Sequence, residues 1–253
     1  MIKYCFENPA DITQFVEIDL QAIPEESKKC LEEIIASIDV EDNKVFKFKG
    51  RNKDKLLYAT EVLIPTTKEN RTNLLVVVGN PAIHSVAEGI PYSYQRSKGG
   101  SHIEHRFWRA LRKTGVVTFP ENRNNPSAAN NEYKRDCLLS GCYESKFNFN
   151  LFILPYFSFP TPASGKYSGV AGIRSIVGQN IFTEMKKFEA QRFEKIIKSY
   201  PINNLICFPK DAWKEIESVK CKPSNSHYVG STPLILSAER IDELARIVSC
   251  MAA

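Results

Sequence analysis

Residues 73–78 read NLLVVV and are followed at once by Gly79, Asn80 and Pro81. A short, unbroken run rich in β-branched residues is the pattern of a strand covered on both faces, as in a parallel sheet flanked by helices. Gly, Asn and Pro then end it, so the chain must leave the sheet abruptly at the carboxyl edge of that strand. The rest of the chain repeats the theme. FNFNLFILPYF at 147–157 and NLICF at 204–208 read as further buried strands, and HYVGSTPLIL at 227–236 supplies a fourth strand or strand end. Helical patterns alternate with them. EHRFWRALRKTG at 104–115 carries Phe107, Trp108 and Leu111 on one face and stops at Gly115. A long helical pattern covers 173–199, another helix opens at Pro209, and the last is capped by Ser237 with Ile241, Leu244 and Val248 facing inward. The fold expected is α/β: a three-layer sandwich around a central, mainly parallel four-stranded sheet, with ligands bound at the carboxyl edge of the strands.

Residues 1–72 read as an extension packed on this domain of residues 73–253. PEESKKCLEEIIASI places Leu31, Ile34, Ile35 and Ile38 on one helical face. KVFKFK and LLYATEVLI, separated by GRNKDK, read as a β-hairpin. The polar stretch PENRNNPSAANNEYK at 120–134 reads as a surface loop.

Composition excludes several classes. The apolar and charged fractions, 43% and 25%, are those of an ordinary globular chain, which argues against disorder. No apolar run reaches bilayer-spanning length, so no membrane partner is expected. Seven cysteines without regular spacing, and no N-terminal signal segment, lead to an expected reducing compartment: the cytoplasm, including a nucleoid or a nucleus. Cys137 and Cys142 lack a second pair to complete a metal site, and His102, Glu104 and His105 fit no ligand spacing; no metal is expected. His84 reads as a loop histidine and His102 with His105 as a solvated helix start. There is no GxSxG, GxxxxGK, GxGxxG or HExxH motif. The segment SGKYSGVAG at 164–172 reads either as a backbone phosphate cradle or as a flexible connection before a helix. The net charge of +5 is modest, but residues 95–113 concentrate arginine, lysine and histidine around the single acid Glu104, interleaved with Phe107 and Trp108. That is a local basic patch of the kind that meets nucleic acid.

VGNPA, GIPYSY and HRFW, in this order and at this spacing, resemble the first signature block of the uracil-DNA glycosylase superfamily, closest to its mismatch-specific uracil/thymine branch. The resemblance is specific across residues 76–115. It implies a uracil-DNA glycosylase-like fold and hydrolysis of the N-glycosidic bond of uracil or a related base in DNA, single- or double-stranded, without metal or organic cofactor. Asn80 then matches the residue that positions the attacking water. Tyr92 matches the aromatic that stacks on the extruded base, with Gly79 and Pro81 forming the turn beside it. GSTPLILS is similar to the family's second signature, which makes Ser231, Thr232 and Leu234 strand-holding residues, with His227 close by. Arg106 and Arg109 are then phosphate contacts. The chemistry agrees: a carboxamide cannot take a proton at neutral pH, but an oxocarbenium-like transition state needs its water placed more than activated.

Two other expectations stand beside this one. Val78 and Ala82 occupy positions where the mismatch-specific pattern has glycine, and NLFILPYF ends without the asparagine several branches keep. A non-catalytic nucleic-acid-binding module of the same fold would have these departures. An α/β hydrolase or transferase acting on a free nucleoside or another phosphate-bearing small molecule is the third reading. The residues set no oligomeric state.

Overall fold

A computed structural model of the chain describes residues 2–5, 13–38, 40–93, 104–120, 130–230 and 237–252. The N-terminal region is more than a helix and a hairpin. Its strands β1 (Ile2–Cys5), β2 (Thr13–Asp19), β3 (Phe46–Lys49) and β4 (Lys55–Glu61) form an antiparallel sheet of order β1-β2-β4-β3. The pair β3 and β4 is the expected hairpin. β2 was not expected, although its period of two is plain in the structure: Val16 and Ile18 are buried, while Glu17 accepts an ion pair from Lys55 at 3.1 Å. β1 has only four residues, too few to carry a pattern of its own. Helix α1 (Glu25–Ala36) buries Leu31 and Ile34 as its spacing predicts, and Glu25 and Glu26 face the positive end of its dipole.

The second sheet holds β5 (Thr72–Val78), β6 (Phe149–Pro155), β7 (Asn204–Cys207) and β8 (Asn225–Tyr228), all parallel, in the order β6-β5-β7-β8. Successive β5 side chains point to opposite faces, so the apolar run serves two cores at once. Leu74, Val76 and Val78 pack with Phe107, Trp108, Leu138, Leu244 and Val248. These come from α3 (Arg106–Thr114), α4 (Asn131–Leu139) and α7 (Ala238–Met251). Leu75 and Val77 pack on the other side with α2 (Ile83–Glu88), α5 (Gly169–Ser199) and α6 (Lys210–Glu217). The antiparallel sheet joins this second core through Tyr58, whose ring meets Phe159 edge-on at 4.9 Å. The chain is therefore α/β with a four-stranded parallel sheet between two helical layers.

Two details depart from the sequence reading. The last residues of the polar stretch, with Asn130 accepting a bond from Tyr133 N, begin α4 instead of continuing a loop. The long helical pattern begins earlier, at Gly169, and is broken at Gly178, whose φ of 78° and ψ of 163° is a conformation open to glycine. Ser237 caps α7 as expected, accepting from Arg240 N. Asparagines fill the opposite, amino-terminal edge of the sheet. Asn150 donates to Asn73 Oδ1 at 2.9 Å and to the carbonyls of Lys68 and Arg71.

β6 ends at Pro155; beyond it the Tyr156 and Phe157 amides still bond the carbonyls of Val78 and Gly79, while the carbonyls of Pro155 and Tyr156 turn to α5. Arg192 of α5 donates to the carbonyls of Pro155 and Tyr156, and its Nε meets Glu189 Oε2 at 2.6 Å. Glu189 in turn accepts from Ser158 N at 2.6 Å and from the Ser158 hydroxyl. Glu189 and Arg192 are both buried. Replacing Arg192 by Ala leaves a carboxylate and two carbonyls in a dry interior. We expect a loss of about 3–5 kcal/mol, the usual cost of removing one member of a buried pair, read as a lowered urea midpoint.

Candidate functional site

The strand order decides where a ligand can enter. From β5 the chain goes to one side to make β6, then crosses to the other side to make β7. The connections diverge at the carboxyl ends of β5 and β7, and such a switch point leaves a crevice. A cavity of about 490 Å³ opens there, within the range of about 300–1,000 Å³ typical of small-molecule sites. Its walls come from residues 78–82 after β5, 161–163 after β6 and 209–212 at the start of α6, with His84, Tyr92, His105 and Glu61.

Asn80, Gly79 and Pro81 all line this cavity, at the carboxyl edge of β5. Gly79 O and Pro81 O accept from Phe157 N and Thr161 N, so the turn after β5 continues to pair with the segment after β6. The Asn80 carboxamide is held by its nitrogen. Nδ2 donates to Thr161 Oγ1 at 2.8 Å and to Pro81 O at 3.2 Å. Thr161 Oγ1 also accepts from Gly169 N at 3.0 Å, which ties the turn to the first residue of α5. Among the described residues nothing donates to Asn80 Oδ1. The arrangement presents one fixed acceptor at the end of the central strand.

Tyr92 is held with equal care. Its φ of 54° is left-handed, a conformation that costs a non-glycine residue about 1–3 kcal/mol. Trp108 Nε1 donates to Pro91 O at 2.9 Å and to Tyr92 O at 3.1 Å, and Ser93 N donates to Ser85 Oγ at 3.3 Å. The Tyr92 ring rests on Phe107 at 4.5 Å and stacks on His105 at 4.9 Å. Phe107 and Trp108 are core residues, as expected, and they also fix this turn.

His105 is not a solvated helix start. It is the N-cap of α3, with Nδ1 accepting from Phe107 N at 3.2 Å, and that contact folds the ring against Tyr92. Burial, with the nearby His84 ring and the Lys134, Arg106 and Arg109 cations adding to it, lowers its pKa to about 4. At neutral pH the ring is uncharged with its proton on Nε2. His84 is likewise not a loop residue: it lies in the first turn of α2 on the cavity wall, and burial lowers its pKa.

The sequence reading missed Glu61. This last residue of β4 reaches the cavity from the antiparallel sheet, 3% exposed, and its Oε2 has no hydrogen-bond partner. Burial alone raises its pKa to about 8. The one available signal was an acid enclosed in the apolar run LLYATEVLI, where a hairpin reading assigns it to solvent.

The basic residues stay outside. Arg106 and Arg109 are exposed on α3 next to His105. Arg112 is paired with Glu104 at 3.0 Å, and the same carboxylate holds the buried Lys134 at 3.3 Å. His227 sits on edge strand β8, bonded to Asn225 Oδ1 at 3.0 Å, and is not on the cavity wall. Ser231, Thr232, Leu234 and His102 lie outside the described residues. In the glycine-rich segment, Gly172 has a steric cause: a Cβ there would fall 2.1 Å from Tyr167 O. Among the described residues there is no cluster of three His, Cys, Asp or Glu groups able to hold a metal, and no helix long and apolar enough to cross a membrane.

No protein-family model matches the chain, and no curated protein matches it.

Glu61 also makes a stability prediction. Its folded pKa lies above the unfolded value, so stability is greatest below about pH 4.5 and is lost as pH rises through about 8. Glu61→Gln does not titrate. Relative to the wild type it should gain stability from pH 5 to pH 9, by up to about 5 kcal/mol in the limit of full ionisation, measured by urea unfolding across that range.

Proposed function

We propose that the chain is a DNA glycosylase of the uracil-DNA glycosylase type, hydrolysing the N-glycosidic bond of uracil or a related base. The observation that carries this reading is Asn80: its nitrogen is committed to Thr161 and its oxygen is left to accept from a water, in the cavity that Tyr92 lines. A base is reached only after it leaves the stack, and it then needs an aromatic platform and edge contacts. Tyr92 is that platform. Asn80 Oδ1 accepts a hydrogen bond from water and turns the water's lone pair towards the sugar C1′ as the bond to the base lengthens and positive charge grows on the sugar. Arg106 and Arg109 contact phosphate outside the cavity, and Ser231, Thr232 and Leu234 hold the strand. The parallel sheet and the switch-point cavity support a uracil-DNA glycosylase-like fold as part of the same reading.

The neutral state of His84 and His105 favours a nucleobase over a phosphate as the group inside. A phosphate needs charge or converging amides. An uncharged base needs donors and acceptors.

The test is alkali cleavage of end-labelled oligonucleotides carrying one uracil, single-stranded or opposite guanine or adenine. The wild type should cut at the uracil, and Asn80→Ala should lose at least about 100-fold in rate, the effect of a misplaced reactant. Full excision by Asn80→Ala removes this mechanism. DNA binding with no abasic product moves the assignment to the binding module, and cleavage of a free nucleoside moves it to the third reading. Arg106→Ala and Arg109→Ala should each reduce the slope of log affinity against log salt by about 1, measured by fluorescence anisotropy.

A further inference from the structure

We infer that Glu61, contributed by the antiparallel sheet, is the hydrogen-bond donor that meets the base inside the cavity and stabilises it as it departs. The inference rests on the glycosylase reading above and deepens it. Three observations carry it. Glu61 is buried yet is one of the residues that line the cavity with Asn80 and Tyr92. Its Oε2 finds no partner within the protein, whereas a buried polar oxygen ordinarily has one. It is fixed to a paired strand: β4 lies between β2 and β3, and two residues on Leu63 bridges to Ile153 of β6. The donor is carried on a paired strand at the cavity wall.

The group that needs such a donor follows from the reaction. When C1′ loses its bond to the base nitrogen, the electron pair leaves with the base, and for a lactam base the negative charge spreads onto its ring carbonyl oxygens. Water oxygen forms the new bond to C1′. The proton that water gives up and the proton that the free base takes up balance through solvent. A carboxylic acid held neutral by an apolar site donates to such a carbonyl, and the bond strengthens as charge develops. An ionised Glu61 would instead repel the leaving base. Its carbonyl oxygen accepts from the adjacent ring N–H in the neutral form. The substrate class is therefore a base with a carbonyl beside a ring N–H, as in uracil.

The groups around Glu61 set the pH response. Tyr92 faces it from the turn after α2, and burial followed by the Glu61 charge holds that phenol protonated far above its ordinary range. His84 on α2 and His105 at the start of α3 line the same cavity and are both displaced towards the neutral form. Lys210 and Asp211 stand at the exposed rim on α6. Of the groups on the wall whose pKa is displaced, Glu61 is the one that changes charge near pH 8.

The experiment is the single-turnover rate of uracil excision by the full chain between pH 6 and pH 10, for the wild type, Glu61→Gln, Glu61→Ala and Asn80→Ala. The wild-type rate should fall about tenfold per pH unit above pH 8. Glu61→Gln keeps the shape and an N–H donor without titrating, so its rate should stay within about tenfold of the wild type at pH 7 and be flat with pH. Glu61→Ala should lose about 100-fold or more at pH 7, the scale of one donor to a developing anion. Excision by the wild type with an unchanged profile in Glu61→Gln, or with full activity in Glu61→Ala, overturns the role of Glu61 and leaves the glycosylase reading standing. No excision by the wild type on any uracil substrate overturns both. Should Glu61→Ala not fold, Glu61→Gln decides alone.

Discussion

The buried ion pair of Glu189 and Arg192 is the contact on which the site depends. Parallel strands satisfy one another only while they run together, and the ladder between β5 and β6 ends at Val78 and Pro155. Arg192 takes up the carbonyls of Pro155 and Tyr156, Glu189 takes up Ser158, and the Ser158 hydroxyl meets Tyr58 of the antiparallel sheet at 2.8 Å. Three residues further on, Thr161 bonds Asn80. One ion pair on α5 thus joins the end of β6, the second sheet and the turn that bears Asn80. Two charges in a dry interior add little net stability against an apolar pair of the same shape. Here they fix a path for the backbone.

That connection changes the meaning of the N-terminal region. Phe46 and Tyr58 pack on Phe159 at 5.9 and 4.9 Å, so the antiparallel sheet forms the support under the segment that carries Thr161. Its last strand then supplies Glu61 to the cavity wall. An appendage would leave the site intact when removed. This sheet is part of the wall.

The central strand was legible because its pattern has one cause: burial on both faces forces unbroken apolar residues, and the turn after it forces Gly, Asn and Pro. Asn80, Gly79, Pro81 and Tyr92 followed from that strand and from a resemblance local to it. Glu61 was not legible. Its burial comes from the packing of β4 on the turn after α2, and no local spacing encodes that contact. His105 was misread for a related reason: a histidine before a helix is solvated unless its ring turns back to cap an amide of the first turn, here Phe107 N, and the ring it stacks on, Tyr92, lies 13 positions earlier. β2 was missed because it is held by pairing with β4, a long-range match of the kind that sequence periodicity underdetermines.

The charge distribution completes the physical picture. Arginines 106 and 109 are exposed on α3, while His105 beside them is held neutral and Lys134 behind them is neutralised by Glu104. Inside the cavity the titratable groups are shifted to their uncharged forms, His84 and His105 downwards and Glu61 and Tyr92 upwards, each mainly by burial. Desolvation acts on acids and bases in opposite directions and here arrives at one result, displaced groups held uncharged in the cavity while Arg106 and Arg109 stay exposed outside it on α3. A polyanion is attracted to such arginines but has no reason to enter the cavity. In the proposed reading a neutral group swung out from that polyanion does, because Tyr92, His105, Glu61 and Asn80 share the cavity wall. That separation of charge from chemistry is what the proposed base excision requires, and it comes from two sheets closing on one switch point.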